Sequence, residues 1–348
     1  MIFLIIRDSI LDRHRPLITI MKLDRCKKAL NRLPKISLWV SVVLCVFLII
    51  CYVYRFDVFS AITIFPVWFW LLPGFIITGF GFINVKKRYV ILVGMLWVLF
   101  VGLIADETIG VLRVFNKSEA SENVLRVVTL NCGGGSYKAA SEVIEYNPDI
   151  VLLQETPSEA EVRQLTEKLF GKAGSFVRDM DNTIIVKGSI ESADDENLRP
   201  YCIRAHVQLY SGIEFEVVSL RLKPFNVRFD LWSADCWRSY MYNRRERRTK
   251  MTAIKDSLNN VSSEIPILIG GDFNVPAGDA LFFVLQPQFH DVFVEGGRGW
   301  GNTIMNDIPV HRFDQIWASE HFIAYNVKAR KTQYSDHRIV VAVLKIKN

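Results

Sequence analysis

IPILIGGDFNVPAGD (265–279) decides the reading of this chain. A short apolar run, with the length and flanks of a buried strand, ends on two glycines. An acid, an aromatic and a carboxamide follow, and then a proline turn. Asp272 and Asn274 have a bland reading as side chains that cap a turn. They also have a chemical one, because loops at strand ends are where α/β folds place their sites. The two glycines are expected to let the chain turn sharply and bring both side chains to one point.

The same arrangement recurs along the chain. VLRVVTLNC (124–132) reads as a strand carrying Asn131 at its end, and DIVLLQE (149–155) as one ending on Gln154 and Glu155. Asp314 lies just inside the strand FDQIWAS (313–319), and Asp336 and His337 immediately precede RIVVAVLKI (338–346). NTIIVKG (182–188), YCIRAHVQLY (201–210) and EFEVVSLRLK (214–223) complete the strands. Helical spacing marks 137–147, 158–171 and RRERRTKMTAIKDSLNNV (244–261). Strands alternating with helices, then strands in succession, imply packed sheets with helices outside.

These residue types suit one chemistry. Carboxylate and carbonyl oxygens are the ligands of Mg²⁺ or Mn²⁺. A histidine beside an acid can move a proton, with a second carboxylate holding its ring. Carboxamide nitrogens can donate to phosphoryl oxygens without adding charge. Together they make a set for metal-assisted hydrolysis of a phosphate ester.

LN (130–131), DIVLLQE, GGDFN (270–274), RFDQIWAS (312–319) and SDHR (335–338) resemble the endonuclease/exonuclease/phosphatase superfamily, the DNase I-like fold. The resemblance covers 124–348 and implies a sandwich of two β-sheets flanked by helices. It implies Glu155 as main metal ligand, with Asn131 beside it and Asp336 as a second metal-side acid. It implies Asp272 positioning or deprotonating the attacking water, and Asn274 holding the phosphate. His337 becomes the catalytic imidazole and Asp314 its orienting carboxylate; whether Asp272 or His337 is the base stays open. In one place the chain departs from the family. VVSLRLKPF (217–225) carries Arg221 where a histidine is usual. An arginine can grip phosphoryl oxygens but cannot shuttle a proton, so Arg221 is expected on the substrate phosphate.

Ahead of this domain stand three uncharged runs, 38–54, 58–85 and 89–105. Each is close to the ~20 residues that cover a bilayer core. The formal net charge of +6 is unevenly spread: residues 1–35 carry nine Lys or Arg against three Asp, whereas 106–348 are net −3. The positive-inside rule then puts the N-terminus in the cytoplasm and, after three crossings, the C-terminal domain on the exoplasmic or periplasmic side. A net-negative domain lacks the field that drives non-specific nucleic-acid binding. The Arg- and aromatic-rich stretch 223–250 remains suited to a nucleic-acid or lipid-headgroup contact. GGRGWGNTI (296–304) reads as a flap over the site or as a plain connector. Six cysteines, three of them in the outer domain and none in CxxC spacing, argue against a zinc site or a disulfide scaffold; one Cys202–Cys236 bridge is compatible with an oxidising compartment.

The expected architecture is α/β: a basic cytoplasmic tail (1–35), three transmembrane helices (36–105), a linker (106–123) and a DNase I-like catalytic sandwich (124–348). The expected activity is that of a membrane-anchored phosphoesterase using Mg²⁺ or Mn²⁺, with nucleic acid or a phospholipid or inositol phosphate headgroup as substrate. The alternative is a catalytically silent binding or scaffold domain of the same fold. No protein partner is implied.

Overall fold

The computed structural model describes residues 31–115, 124–192, 198, 201–224 and 227–347. Most of the basic tail and the last part of the expected linker, 116–123, lie outside them. The chain divides into two compact units. One holds the described residues up to Val53 with Val67–Ile104; the other holds Tyr54–Pro66 with Ala105 onward.

In the first unit, helix α1 (Asn31–Tyr54) is one of two helices among the described residues long and apolar enough to cross a membrane. The other is α4 (Lys87–Ile104). The run expected as a single span, 58–85, is not one helix. It breaks around Pro66 into Asp57–Thr63, which contains α2 (Ser60–Thr63), and Val67–Ile83, which contains α3 (Leu71–Gly79). Proline supplies no N–H and disfavours helix in the residue before it, so the break is local chemistry. Small and polar side chains link the helices of this unit. Trp97 Nε1 donates to Ser41 Oγ at 2.9 Å, and Ser41 and Thr78 hydroxyls lie 2.7 Å apart. Gly74 leaves room for the Trp97 ring, whose atoms a Cβ there would meet at 2.4 Å.

The second unit is built on one continuous mixed sheet in the order β10-β11-β1-β2-β4-β5-β6-β7-β9-β8, with β3 paired to β4. Its elements are, in chain order, α5 (Asp106–Leu112), β1 (Leu125–Asn131), α6 (Tyr137–Ser141), β2 (Ile150–Gln154), α7 (Glu159–Phe170), β3 (Gly174–Arg178), β4 (Asn182–Ser192), β5 (Cys202–Leu209), β6 (Glu214–Arg221), α8 (Ala234–Ser257), β7 (Ile267–Asp272), β8 (Phe289–Asp291), α9 (Val292–Gly296), β9 (Asp314–Ser319), β10 (Phe322–Arg330) and β11 (Ile339–Ile346). β1–β2 and β6–β7 are parallel and the other pairs antiparallel. The expectation of two separate sheets is therefore corrected to one curled sheet. The long strand β4 makes the difference, because its first half pairs with β2 and its second half with β5. A shared buried cluster includes Val127 and Leu152 from one half and Val217 and Leu268 from the other.

The glycines of the 265–279 stretch also differ from expectation. Gly270 and Gly271 lie inside β7, and what they provide is close approach. A Cβ on Gly270 would meet Leu152 Cδ1 of β2 at 2.5 Å, and one on Gly271, at φ +141°, would meet the Leu220 carbonyl of β6 at 2.0 Å.

Two further expectations change. Residues 106–115 are helical and engaged, not a free linker. Asp106 pairs with Arg312 at 3.1 Å, Asn302 donates to Glu107 at 2.8 Å, and Gly299 N–H, in the expected flap, donates to the Gly110 carbonyl at 2.7 Å. The basic stretch on α8 likewise faces inward to the connector 54–66. Arg244, 3% exposed, donates to Asp279 at 2.8 Å, to Thr63 Oγ1 at 2.6 Å and to the carbonyls of Arg55 and Phe56 at 3.3 Å. Arg248 grips Asp57 with both terminal nitrogens, at 2.6 and 3.1 Å. Cys202 and Cys236 are both buried and not bridged to each other, so the disulfide that seemed compatible with the sequence is not formed.

Arg244→Met in the full chain strands a buried Asp279 carboxylate and is expected to cost about 3–5 kcal/mol. Arg245→Met, which removes an exposed partner of Asp57, is expected to cost at most about 1 kcal/mol. Thermal unfolding in detergent measures both; equal losses would show that the connector is not held by Arg244.

Candidate active site

The strand ends converge. Asn131 leaves β1 and Glu155 follows β2, while Arg221 ends β6 and faces Asp272 at the end of β7. Asp272 is in turn opposite Asp314, the first residue of β9. His337 precedes β11.

Asn131 is the centre. Its Nδ2 donates to Glu155 Oε1 at 3.2 Å and to Asp272 Oδ2 at 3.0 Å, linking the two halves of the sheet. Its Oδ1 accepts from Gly133 N–H at 3.0 Å. Gly133, Gly134 and Gly135 all have positive φ, which glycine adopts without strain, and this turns backbone N–H groups toward the acids. Gly134 N–H reaches Glu155 Oε2 at 2.6 Å. Glu155 itself sits at φ +45° and Asn274 at +51°. Such left-handed non-glycine residues cost ~1–3 kcal/mol each and persist where surrounding bonds over-determine them.

Asp272 Oδ2 also accepts from Asn274 Nδ2 at 3.0 Å, and its Oδ1 from Asn274 N–H at 2.9 Å. Asn274 Nδ2 is shared with the Leu222 carbonyl at 2.7 Å. His337 Nδ1 lies 2.8 Å from Asp314 Oδ2, and Thr303 Oγ1 accepts from the Asp314 N–H at 3.0 Å. Ser335 Oγ accepts from His337 N–H at 3.0 Å and donates to the Asn131 carbonyl at 2.7 Å, tying the histidine's loop to β1. Donor atoms of Asp272, Asp314 and His337 lie within 4.8 Å of one another.

The electrostatics follow from this crowding. Burial, then the neighbouring Asp314 charge, raise the Asp272 carboxyl to about 6 against opposition from His337, Asn131 and the Asn274 N–H. Burial alone would lower His337, but the Asp314 charge and hydrogen bond, with Asp272 and Asp336, overcome it and raise the imidazole to about 10. Glu155 moves the other way: burial is outweighed by the Gly134 N–H, Arg221 and Asn131, which hold it below the usual carboxylate range.

The predicted residues therefore gather, with two qualifications. Asp336 is exposed at the rim, its carboxylate beside Gly133. Arg221, expected on a phosphate, pairs here with Glu155 at 2.7 Å and with Asp181 at 3.2 Å, while its Nε is buried without a hydrogen-bond partner. The sequence reading missed Asp181, Thr303 and Ser335. Only the glycine triplet directly after a strand carried a signal. A hard divalent cation suits the oxygens of Glu155, Asn131 and Asp272, and Asp314 Oδ1 is buried with no hydrogen-bond partner. His337 is a poor ligand, since a metal needs the neutral imidazole.

Residues 128–337 match the family described as Endonuclease/Exonuclease/phosphatase family. Two solved structures are similar in fold. An endonuclease/exonuclease/phosphatase family protein from Bacteroides thetaiotaomicron is 14% identical at a TM-score of 0.52, covering 66% of this chain and all of that one. Its counterpart from Bacteroides vulgatus is 15% identical at 0.51, covering 65% of this chain and all of that one. No curated protein matches the chain in sequence.

His337 links the site to stability. Its folded pKa lies above the unfolded one, so the stabilisation is complete below about pH 6.5 and is lost as pH rises toward about 10. The melting-temperature gap between wild type and His337→Ala is expected to be widest at the acid end of this window and to close toward its top. A gap independent of pH would mean that the Asp314 pair is not ionic.

Proposed function

Because the chain belongs to the endonuclease/exonuclease/phosphatase family, we propose that it is a divalent-metal-dependent phosphoesterase that its apolar helices anchor in a membrane. It hydrolyses a phosphate mono- or diester by attack of water. Members of the family are phosphoesterases, nucleases and phosphatases among them. The observation that carries the reading is the single hydrogen-bonded constellation of Asn131, Glu155, Asp272 and Asn274 beside the His337–Asp314 pair.

Glu155 and Asn131, with Asp336 at the rim, would hold Mg²⁺ or Mn²⁺. When bound, the ion supplies Lewis-acid polarisation of a phosphoryl oxygen. Asp272, ionised above about pH 6, is poised to orient and deprotonate the attacking water. His337, protonated until about pH 10, is the donor to the phosphoryl or leaving oxygen, and Asp314 fixes its ring. With Asp272 ionised and His337 protonated around neutral pH, this reading takes Asp272 as the base and His337 as the acid. Asn274 holds Asp272 by two bonds and is placed to donate to the phosphate. Arg221, paired with Glu155 and Asp181, adds a cation to the site that can favour a phosphoryl oxygen.

The substrate reading leans toward a lipid headgroup or small phosphate ester and away from bulk nucleic acid. The domain is net negative, and the basic run of α8 is engaged with Asp57, Asp279 and the connector. The far-side location rests on the basic surplus of residues 1–35 against the net-negative 106–348.

The full chain is expected to hydrolyse bis-p-nitrophenyl phosphate only with Mg²⁺ or Mn²⁺, with a rate that falls below about pH 6 as Asp272 protonates and above about pH 10 as His337 loses its proton. Asp272→Asn and His337→Ala should each lose ~10²–10⁴-fold. Metal-independent turnover, or a His337→Ala rate equal to wild type, would sink the reading.

A further inference from the structure

Residues 227–233, which lead into α8, are tightly bonded. The Tyr240 hydroxyl, on a side chain that is almost wholly buried, accepts from Arg228 N–H at 2.6 Å and donates to the Arg228 carbonyl at 2.9 Å. Trp237 Nε1 donates to the Leu231 carbonyl at 2.8 Å, and Ser233 N–H to the Asp230 carbonyl at 2.8 Å. Arg228 and Asp230 neutralise each other through two hydrogen bonds. A segment held this firmly nevertheless turns its largest apolar groups outward: Phe229 is 68% exposed and Trp232 is 87% exposed.

The connector gives these rings a setting. Phe229 packs on Phe65, ring centroids 5.9 Å apart, and Phe65 stands at the end of the connector, just before the apolar segment Val67–Ile83. At the connector's other end, Tyr54 closes α1 and is itself 60% exposed. Phe229 thus packs on a residue that directly precedes the apolar segment Val67–Ile83, and Trp232 follows Phe229 three residues on. Tryptophan and its kin favour the headgroup level of a bilayer, where an apolar body and a polar edge are both accommodated. The internal neutralisation of Arg228 by Asp230 leaves this segment without the charge pattern that a protein partner would match.

We infer that Phe229 and Trp232 insert into the interfacial layer of the chain's own bilayer, and that the site takes phosphate esters displayed at a lipid surface. The substrate half of this inference rests on the phosphoesterase reading; the membrane contact does not.

The test uses the full chain with Cys26→Ser, since the other five cysteines are buried. Trp232→Cys carrying an environment-sensitive nitrobenzoxadiazole label is reconstituted in phosphatidylcholine–phosphatidylglycerol vesicles containing headgroup-proximal nitroxide lipids. Lys172→Cys, exposed on the turn before β3, is the reference. The label at 232 is expected to shift to the blue and be quenched by the nitroxide, while that at 172 is not. Equal, solvent-like emission at both sites would overturn the contact, and so would a blue shift at 232 without nitroxide quenching, as packing against a second copy of the chain would give. Trp232→Ala should then keep the wild-type rate on bis-p-nitrophenyl phosphate in detergent, and lose about tenfold or more on phosphatidic acid or phosphatidylglycerol in vesicles. Unchanged vesicle rates would overturn the substrate half. A wild type inactive on every ester would overturn the phosphoesterase reading, leaving the contact supported by the quenching alone.

Discussion

Like charges brought together in a buried place set the terms for the rest of the site. Glu155, Asp272 and Asp314 face one another with Asp181 and Asp336 at the edges, and two cations, Arg221 and His337, stand among them. At these separations and in partial burial, carboxylates repel by several kcal/mol unless protons or donors compensate. The backbone N–H groups of the glycine triplet, the carboxamides of Asn131 and Asn274 and the imidazolium supply that compensation. What remains is a surplus of negative charge held in a fixed geometry. Such a pocket suits a small cation, and with the cation in place it suits a phosphate.

The curl of the sheet is what lets these charges meet. Asn131 and Glu155 come from one half, Arg221 and Asp272 from the other, and β4 serves both halves. Gly270 and Gly271 then allow β7 to lie close against β2 and β6. Their conformational freedom is used inside a strand, so the abrupt ending of the IPILIGG run marks tight packing more than a turn.

Much of this was legible in the sequence. Apolar runs located eight strands because each is buried on both faces or cleanly bounded, and their polar ends named the site. β3, β8 and β10 were missed: one is only partly buried along its length, one has three residues, and one mixes polar with apolar positions around an irregularity at Ala324/Asn326. Strand β4 read as ending at Gly188, where a Cβ would strike the Gln208 carbonyl at 2.1 Å as the pairing passes from β2 to β5. Helix α8 begins at Ala234, well ahead of the RRERRTK run, because its aromatic-rich first turns lack an obvious period. The helical character of 106–115 and the anchoring of 54–66 were invisible for another reason. Asp106 and Asp57 gain their meaning from Arg312 and Arg248, far away along the chain, and no local pattern reports a partner at that distance.

Those two anchors have a consequence for how the protein is made. The connector 54–66 emerges from the ribosome long before Arg244, Arg248 and Asp279, with which it eventually packs. Until α8 is synthesised, Asp57 lacks Arg248 and Thr63 lacks Arg244. The same order applies to Asp106 and Arg312. The fold of the second unit is thereby completed only by residues that stand on both sides of the apolar segment Val67–Ile104. An excised domain beginning after residue 115 would carry two buried arginines, each short of partners that the full chain provides. The apolar segment is, in this chain, an insertion within the residues that build the α/β unit.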